Sequence, residues 1–123
     1  MNNKEVRIIV AGGRDFNDYD LLSSVLTEYM ASCEAVIVSG TAKGADRLGE
    51  RFASDSGFEI RRFPADWDKH GKSAGIIRNR EMADYAGEAI GVLFAFWDGK
   101  SRGTKHMIST AKKRGLEVHI IKY

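Results

Sequence analysis

Three glycine-bearing stretches hold the residues whose types and spacing can do chemistry: Gly12-Gly13-Arg14-Asp15-Phe16, Ser39-Gly40-Thr41-Ala42-Lys43-Gly44-Ala45-Asp46 and Trp97-Asp98-Gly99-Lys100-Ser101-Arg102-Gly103-Thr104. The chemistry they suit is the holding of an oxyanion. Glycine lacks Cβ, so backbone N–H groups can approach a bound phosphate closely. A helix that follows adds unpaired N–H groups and a positive dipole end, and Gly44 and Gly103 are each expected to open one. Arg14, Lys43, Lys100 and Arg102 add full charge, and the planar fork of arginine matches phosphate. A fourth stretch, Pro64 to Gly75, carries Asp66, Trp67, Asp68, His70 and Lys72 before running into Arg78-Asn79. A connection of that length is more often functional than idle. Trp67 lies outside any periodic run and is expected to stack on a ligand ring, whereas Trp97 suits closure of the core at least as well.

Carboxylates are present, but in no set that defines a reaction. Asp46 falls in the first turn of a helix, where the dipole alone favours a carboxylate by about 0.3–1 kcal/mol; it suits a ribose hydroxyl equally. Asp15 and Asp98 fit turn formation as well as ligand contact. Were a hydrolytic step to occur, Asp98, Asp46 and Asp66 are the carboxylates to which it would fall, and none is singled out as catalytic. No His/Cys cluster has metal-ligand spacing, so no metal is expected. His106 lies in the first turn of the last helix, near the same loops. His119 alternates within a strand as a structural residue does, and Cys33, at the end of the first helix, reads as a small buried side chain. The Gly-x-x-x-x-Gly-Lys-Ser/Thr phosphate loop is missing, which argues against an ordinary nucleoside triphosphatase.

The elements that must position these loops are five short strands alternating with four helical patterns. The strands are Val6 to Ala11, Ala35 to Val38, Glu59 to Phe63, Ala89 to Trp97 and Val118 to Ile121. The fourth is almost wholly apolar, as a strand covered on both faces must be, and the third alternates apolar with charged residues like a strand near an edge. Leu21, Leu22, Val25, Leu26, Tyr29 and Met30 form one apolar helical stripe. Ala45, Leu48, Phe52 and Ala53 form a weaker one, as do Ile76, Ile77, Ala83 and Ala86, and then Met107, Ile108 and Ala111. Gly57 and Gly115 stand at expected helix C-caps. Strict β-α alternation predicts a Rossmann-like three-layer αβα sandwich on a mainly parallel five-stranded sheet, order 3-2-1-4-5. In such a sheet, ligands bind beyond the carboxyl ends of the strands where strand order reverses, here between strands one and four. The glycine-bearing loops leave those ends.

Composition sets the outer limits. The 123 residues, 43% of them hydrophobic, fit one domain over residues 1–123 with a core of its own. No apolar run approaches the roughly 18–20 residues that span a bilayer, and the N-terminus shows no signal-like segment, so a cytoplasmic protein with no membrane partner is expected. A single cysteine agrees with that compartment. A net charge of +2 is too small to imply a nucleic-acid partner, and any basic footprint must be local.

Taken together, these blocks resemble the SLOG superfamily and most closely its YspA-type (YspA/CpYpsA-related) branch. The resemblance runs from Ile8 to about Val118. It rests on Gly12-Gly13-Arg14-Asp15-Phe16, on Val38-Ser39-Gly40 with Lys43-Gly44-Ala45-Asp46, on Pro64-Ala65-Asp66-Trp67, on Ala74-Gly75 with Arg78-Asn79 and Met82-Ala83, and on Gly103-Thr104. It implies a Rossmann-like fold binding a nucleotide or a nucleotide-derived, ADP-ribose-like ligand. Relatives among the Lonely Guy phosphoribohydrolases carry a Pro-Gly-Gly-x-Gly-Thr-x-x-Glu motif after strand four. This chain keeps Gly103-Thr104 but has Met107 where their glutamate stands, and Asp98 to Arg102 replace the proline and glycines. Arg78 matches their helix arginine. DNA-processing protein A, which binds single-stranded DNA, shares the Ser-Gly-x-Ala-x-Gly-x-Asp pattern of Ser39 to Asp46.

The expected contacts are Gly12, Gly13, Arg14, Asp15, Ser39, Gly40, Lys43, Gly44, Asp46, Asp66, Trp67, Arg78, Asn79, Asp98, Gly99, Gly103 and Thr104. The expected function is a sensor or sequestering module for a small nucleotide-derived ligand, with no other cofactor required. Nucleotide N-glycosidic hydrolysis and single-strand nucleic-acid binding are the alternatives, and self-association is left open.

Overall fold

The computed structural model describes residues 5–30 and 34–123. Cys33 lies outside the described residues. Five parallel strands form one sheet in the order β3-β2-β1-β4-β5: β1 Val6–Gly12, β2 Ala35–Ser39, β3 Glu59–Arg62, β4 Ile90–Trp97 and β5 Glu117–Lys122. Strand β1 pairs with both β2 and β4, with Val6 opposite Ala35 on one side and Ile90 on the other. The chain leaves β1 in one direction and returns to the sheet on the other side, so the reversal falls between β1 and β4. The expected architecture and strand order are the ones observed.

Side chains of a strand alternate between faces, and here both faces are covered. Ile8, Val10, Ile37, Val92, Phe94 and Phe96 pack against α1 (Tyr19–Tyr29) and α2 (Ala45–Ser56). Ile9, Ala11, Val38, Leu93 and Ala95 pack against α4 (Ala74–Gly87) and α5 (Arg102–Lys113). Leu22 and Leu26, one turn apart on α1, are fully buried, and each stabilises the fold by about 1.5–3 kcal/mol. Asp18 caps α1 by accepting the Leu21 N–H at 3.0 Å. Gly57 ends α2 with φ +78°, a conformation that glycine adopts without steric cost. His119 stacks on Phe94 with ring centroids 4.6 Å apart, the structural part expected of it.

Between β3 and α4 the chain is more ordered than its sequence pattern indicates. A single turn, α3 (Trp67–His70), runs through a 3-10 turn (Gly71–Ser73) directly into α4, so Gly75 is helical. Asp66 drives this by accepting the Lys69 N–H at 3.1 Å. One turn is too short to show periodicity. No described helix is long and apolar enough to cross a membrane.

Candidate functional site

Beyond the ends of β1 and β4 lies a cavity of about 670 Å³, well within the range of small-molecule sites. Gly12, Gly13, Arg14 and Asp15 line it from the β1–α1 connection, and Ala42 and Asp46 from the β2–α2 segment. Trp67 and Lys72 join Gly75, Ile76, Arg78, Asn79 and Met82 on the α4 side; Asp98 and Ser101 to Thr104 close it with His106 and Met107. A side cavity of about 290 Å³ meets the first at Arg14, Ala42, Trp67 and Arg78, and adds Gly40, Thr41, Lys43, Arg47 and Ala65.

The β2–α2 segment is locked by its own side chains. Ser39 Oγ donates to Glu50 Oε2 at 2.7 Å and accepts the Thr41 N–H at 3.0 Å. Thr41 has φ +65°, uncommon for a β-branched residue and costly by roughly 1–2 kcal/mol. That conformation is held by Arg47 Nε, which donates to the Thr41 carbonyl at 3.1 Å. Arg78 Nη1 donates to the Gly40 carbonyl at 2.6 Å, and the Ala42 N–H donates to Asp46 Oδ2 at 3.3 Å. A Cβ on Gly40 would lie 2.6 Å from Arg78 Nη1 and 2.8 Å from Asp46 Oδ2. Glycine therefore makes room there for the half-buried Arg78 guanidinium and the buried Asp46 carboxylate, which face each other without an ion-pair contact. Gly44 caps α2 with φ +81°, and a Cβ on it would overlap the Gly13 carbonyl oxygen.

Burial dominates the electrostatics of that pair. Asp46 is 4% exposed, and desolvation pushes its carboxyl up to about 6, although the neighbouring Arg78 guanidinium and the Ala42 amide pull the other way. Burial likewise lowers the Arg78 pKa; Asp46 opposes that shift and Arg14 reinforces it.

The β4–α5 loop is built differently. Asp98 Oδ1 accepts the Ser101 N–H at 2.9 Å and the Lys100 N–H at 2.8 Å, and these two bonds hold its carboxyl below the ordinary range. Ser101, rather than Gly103, caps α5 by accepting the Thr104 N–H at 3.3 Å. Gly103 is the second residue of the helix, and a Cβ there would meet nothing within 4 Å. The amides of Arg102 and Gly103 have no intrahelical acceptor, as at any helix start. Trp97 Nε1 donates to the Ser101 carbonyl at 3.1 Å. Asn79 donates through Nδ2 to His106 Nδ1 at 3.1 Å and accepts Arg78 Nε through Oδ1 at 3.0 Å. Burial lowers the His106 pKa, with help from Arg80 and Lys113.

The cations of both cavities share one property. Among the described residues, the arginines in ion pairs are Arg7, Arg51, Arg62 and Arg114. None of Arg14, Lys43, Arg47, Lys72, Arg78 or Arg102 has a carboxylate within 4.0 Å. Unpaired cations converging around a concave surface raise the local concentration of anions. No group of three or more His, Cys, Asp or Glu among the described residues can hold a metal ion.

Eleven of the expected contacts line the main cavity: Gly12, Gly13, Arg14, Asp15, Asp46, Trp67, Arg78, Asn79, Asp98, Gly103 and Thr104. Gly40 and Lys43 line the side cavity. Four others lie outside both, for local reasons. Ser39 is wholly buried as the latch to Glu50, and Gly44 packs on Gly13. Asp66 caps α3, and Gly99 takes φ +87° in a turn facing Lys122. The residues missed are spread over several elements: on α4, Ile76, expected in an apolar stripe, is 41% exposed and lines the cavity. Lys72, Arg102, His106 and Met107 stood in the right segments but were not assigned as contacts. Arg47 carried no signal, being one charge among many on a helix.

The model of the YspA, cpYpsA-related SLOG family matches residues 6–70, just over half of the chain. The Gene 61 protein of Mycobacterium phage D29 is 34% identical over 119 residues, which cover 91% of this chain and 93% of that protein. Among solved structures, DNA processing protein A from Streptococcus pneumoniae superposes with a TM-score of 0.74 over 98% of this chain, at 18% identity. This chain spans about half (51%) of that one, and what the two share is the fold.

Proposed function

The chain belongs to the YspA, cpYpsA-related SLOG family, and from that membership and the crevice we propose that it binds a phosphate-bearing nucleotide or nucleotide derivative, ADP-ribose-like ligands among them, as a sensing or sequestering module. The observation that carries this reading is the meeting of unpaired Arg14, Lys72, Arg78 and Arg102 with a free helix start at a cavity of about 670 Å³. The guanidinium forks and first-turn amides suit phosphate oxygens. Ile76, Met82 and the half-exposed ring of Trp67 supply apolar area for a base.

Binding without turnover is the better reading of the carboxylates. N-glycosidic cleavage needs a carboxylate free to stabilise an oxocarbenium-like species or to activate water. Asp98 and Asp66 are occupied as turn and cap acceptors, Asp46 is 4% exposed and accepts the Ala42 N–H, and Met107 fills the position beside Thr104 with a buried apolar side chain. Thermal shift and calorimetry with AMP, ADP, NAD and ADP-ribose test this, with chromatography for released base. A ligand-dependent rise in melting temperature without base release is expected. No shift with any of them would sink the reading, and rapid base release lost in Asp98→Asn would replace it with hydrolysis.

Single-stranded nucleic acid is the second reading, favoured by one observation: Trp67 is 54% exposed beside four cations of the side cavity. Aromatic stacking next to a basic groove is how sequence-tolerant strand binders work. Retention of a labelled oligothymidine with a steep salt dependence would promote it.

A further inference from the structure

The side cavity differs from the main one in charge. Its lining holds Arg14, Lys43, Arg47 and Arg78 and no carboxylate. In the main cavity the cations face Asp15, Asp46 and Asp98. Of the four, Arg47 is oriented by its bond to the Thr41 carbonyl and Arg78 by its bond to the Gly40 carbonyl, while Lys43 is exposed. Like charges gathered with only the buried Asp46, behind Gly40 and Arg78, as counter-charge repel, and the backbone that gathers them keeps Thr41 at φ +65°. Strain retained beside a cavity is a mark of a functional arrangement. A nucleoside gains little from such a lining, because ribose hydroxyls seek carboxylates and bases seek apolar area. Both of those are in the main cavity, in Asp15, Ile76 and Met82. A phosphoryl group gains a great deal.

Resting on the nucleotide-binding reading above, we infer that the ligand carries a second phosphoryl group, seated in the side cavity. The nucleoside lies in the main cavity, and Arg14 and Arg78, which line both, stand between them. The class this selects is a nucleotide with two phosphoryl groups, contiguous or at the two ends of the ribose, over a nucleoside monophosphate.

Calorimetry at low ionic strength compares AMP, ADP and adenosine 3′,5′-bisphosphate, with the guanine counterparts as a second series. The wild type is expected to bind at least one two-phosphate ligand about tenfold or more tightly than the monophosphate of the same base. That ratio should collapse toward one in Lys43→Ala and in Lys43→Glu. Lys43 makes no hydrogen bond or ion pair in the described structure, and Lys43→Gln with circular dichroism checks that its removal leaves the fold intact. Equal affinities for one and two phosphates in the wild type would overturn this inference while leaving nucleotide binding in place. A ratio that survives Lys43→Glu would overturn it too, by putting the second phosphate elsewhere. Binding of no nucleotide in either series would remove both readings together.

Discussion

The β2–α2 and β4–α5 segments carry the same sequence signature, glycines and cations leading into a helix, yet they are physically opposite. The first is closed upon itself. Gly40 accommodates Arg78 and Asp46, Gly44 accommodates the Gly13 carbonyl, and Ser39 and Arg47 fasten the backbone between them. The second is open, with a Ser101 cap, an Asp98 turn, and a Gly103 whose missing Cβ leaves space that no protein atom uses. A glycine required by the protein and a glycine that leaves room for something else look identical in sequence. Only the surroundings separate them, and variants at the two loops should behave accordingly.

The largest effect is expected at Gly44. A side chain there must take φ +81° and displace the Gly13 carbonyl, so Gly44→Val combines backbone strain with overpacking. Together these should cost roughly 2–6 kcal/mol, read as a lower urea midpoint at unchanged m-value. Gly103→Val adds a side chain in open space and should cost less than about 1 kcal/mol, mostly the lower helix propensity of a β-branched residue. Equal losses at the two sites would erase the distinction between the loops.

The two aspartates of these segments should respond to pH with opposite sign. The folded pKa of Asp46, about 6, lies above the unfolded value near 3.9. The native state therefore holds that proton more tightly. The stability it confers is fully present below about pH 4 and is lost as pH rises through about 6, a span worth about 3 kcal/mol. Asp98 is the reverse: its folded pKa is depressed, so its contribution is present above the unfolded value and lost as pH falls toward the lower folded one. Denaturation of wild type, Asp46→Asn and Asp98→Asn between pH 3 and 7 resolves both. If Asp46→Asn leaves the pH profile unchanged, the buried Asp46 carboxyl is not what shapes the closed loop.

Much of the fold was legible because the signals were redundant. Near-continuous apolar strands, helical stripes between them and strict alternation all point to one parallel sheet, and the crevice follows from its topology. What escaped were features that depend on a single distant partner. The α3 turn rests on one cap at Asp66. The Ser39–Glu50–Arg62 chain joins a strand end, a helix and an edge strand. Ile76 has an apolar letter at helical spacing, yet it is exposed and lines the cavity, while Ala74 and Met82 of the same helix are buried. Sequence spacing locates a helix face, but not how far along the helix that face is covered.

Arginines on the two sides sharpen the contrast further. Arg78 is half-buried and bonded to Gly40 and Asn79, so Arg78→Ala should lower stability and also weaken nucleotide binding. Arg102 is exposed at the start of α5 with no ion-pair partner, so Arg102→Ala should weaken binding alone. Charged hydrogen bonds worth about 1.5–3 kcal/mol correspond to roughly 10- to 150-fold in affinity. Calorimetry and urea titration of the same preparations separate the two effects. Unaltered affinity in both variants would mean that the phosphate is held elsewhere.

The smallest effect, and the finest test of the open loop, is Gly103→Ala. The added Cβ meets no protein atom within 4 Å, and replacing glycine by alanine within a helix stabilises it by about 0.5–1 kcal/mol, less in the first turn. Free protein should therefore be unchanged or slightly more stable, with a melting temperature equal to or a few degrees above wild type. Affinity should move the other way. Gly103 lines the main cavity, and a methyl group on the first turn of α5 keeps a phosphate oxygen from the amides of Arg102 and Gly103. The signature is a protein that melts no lower than wild type but binds its nucleotide more weakly, the inverse of what Gly44→Val should show in the unliganded chain. Should Gly103→Ala gain stability and bind as tightly as wild type, the α5 start does not hold the phosphate, and Arg14 and Arg78 at the junction of the two cavities become the place to look.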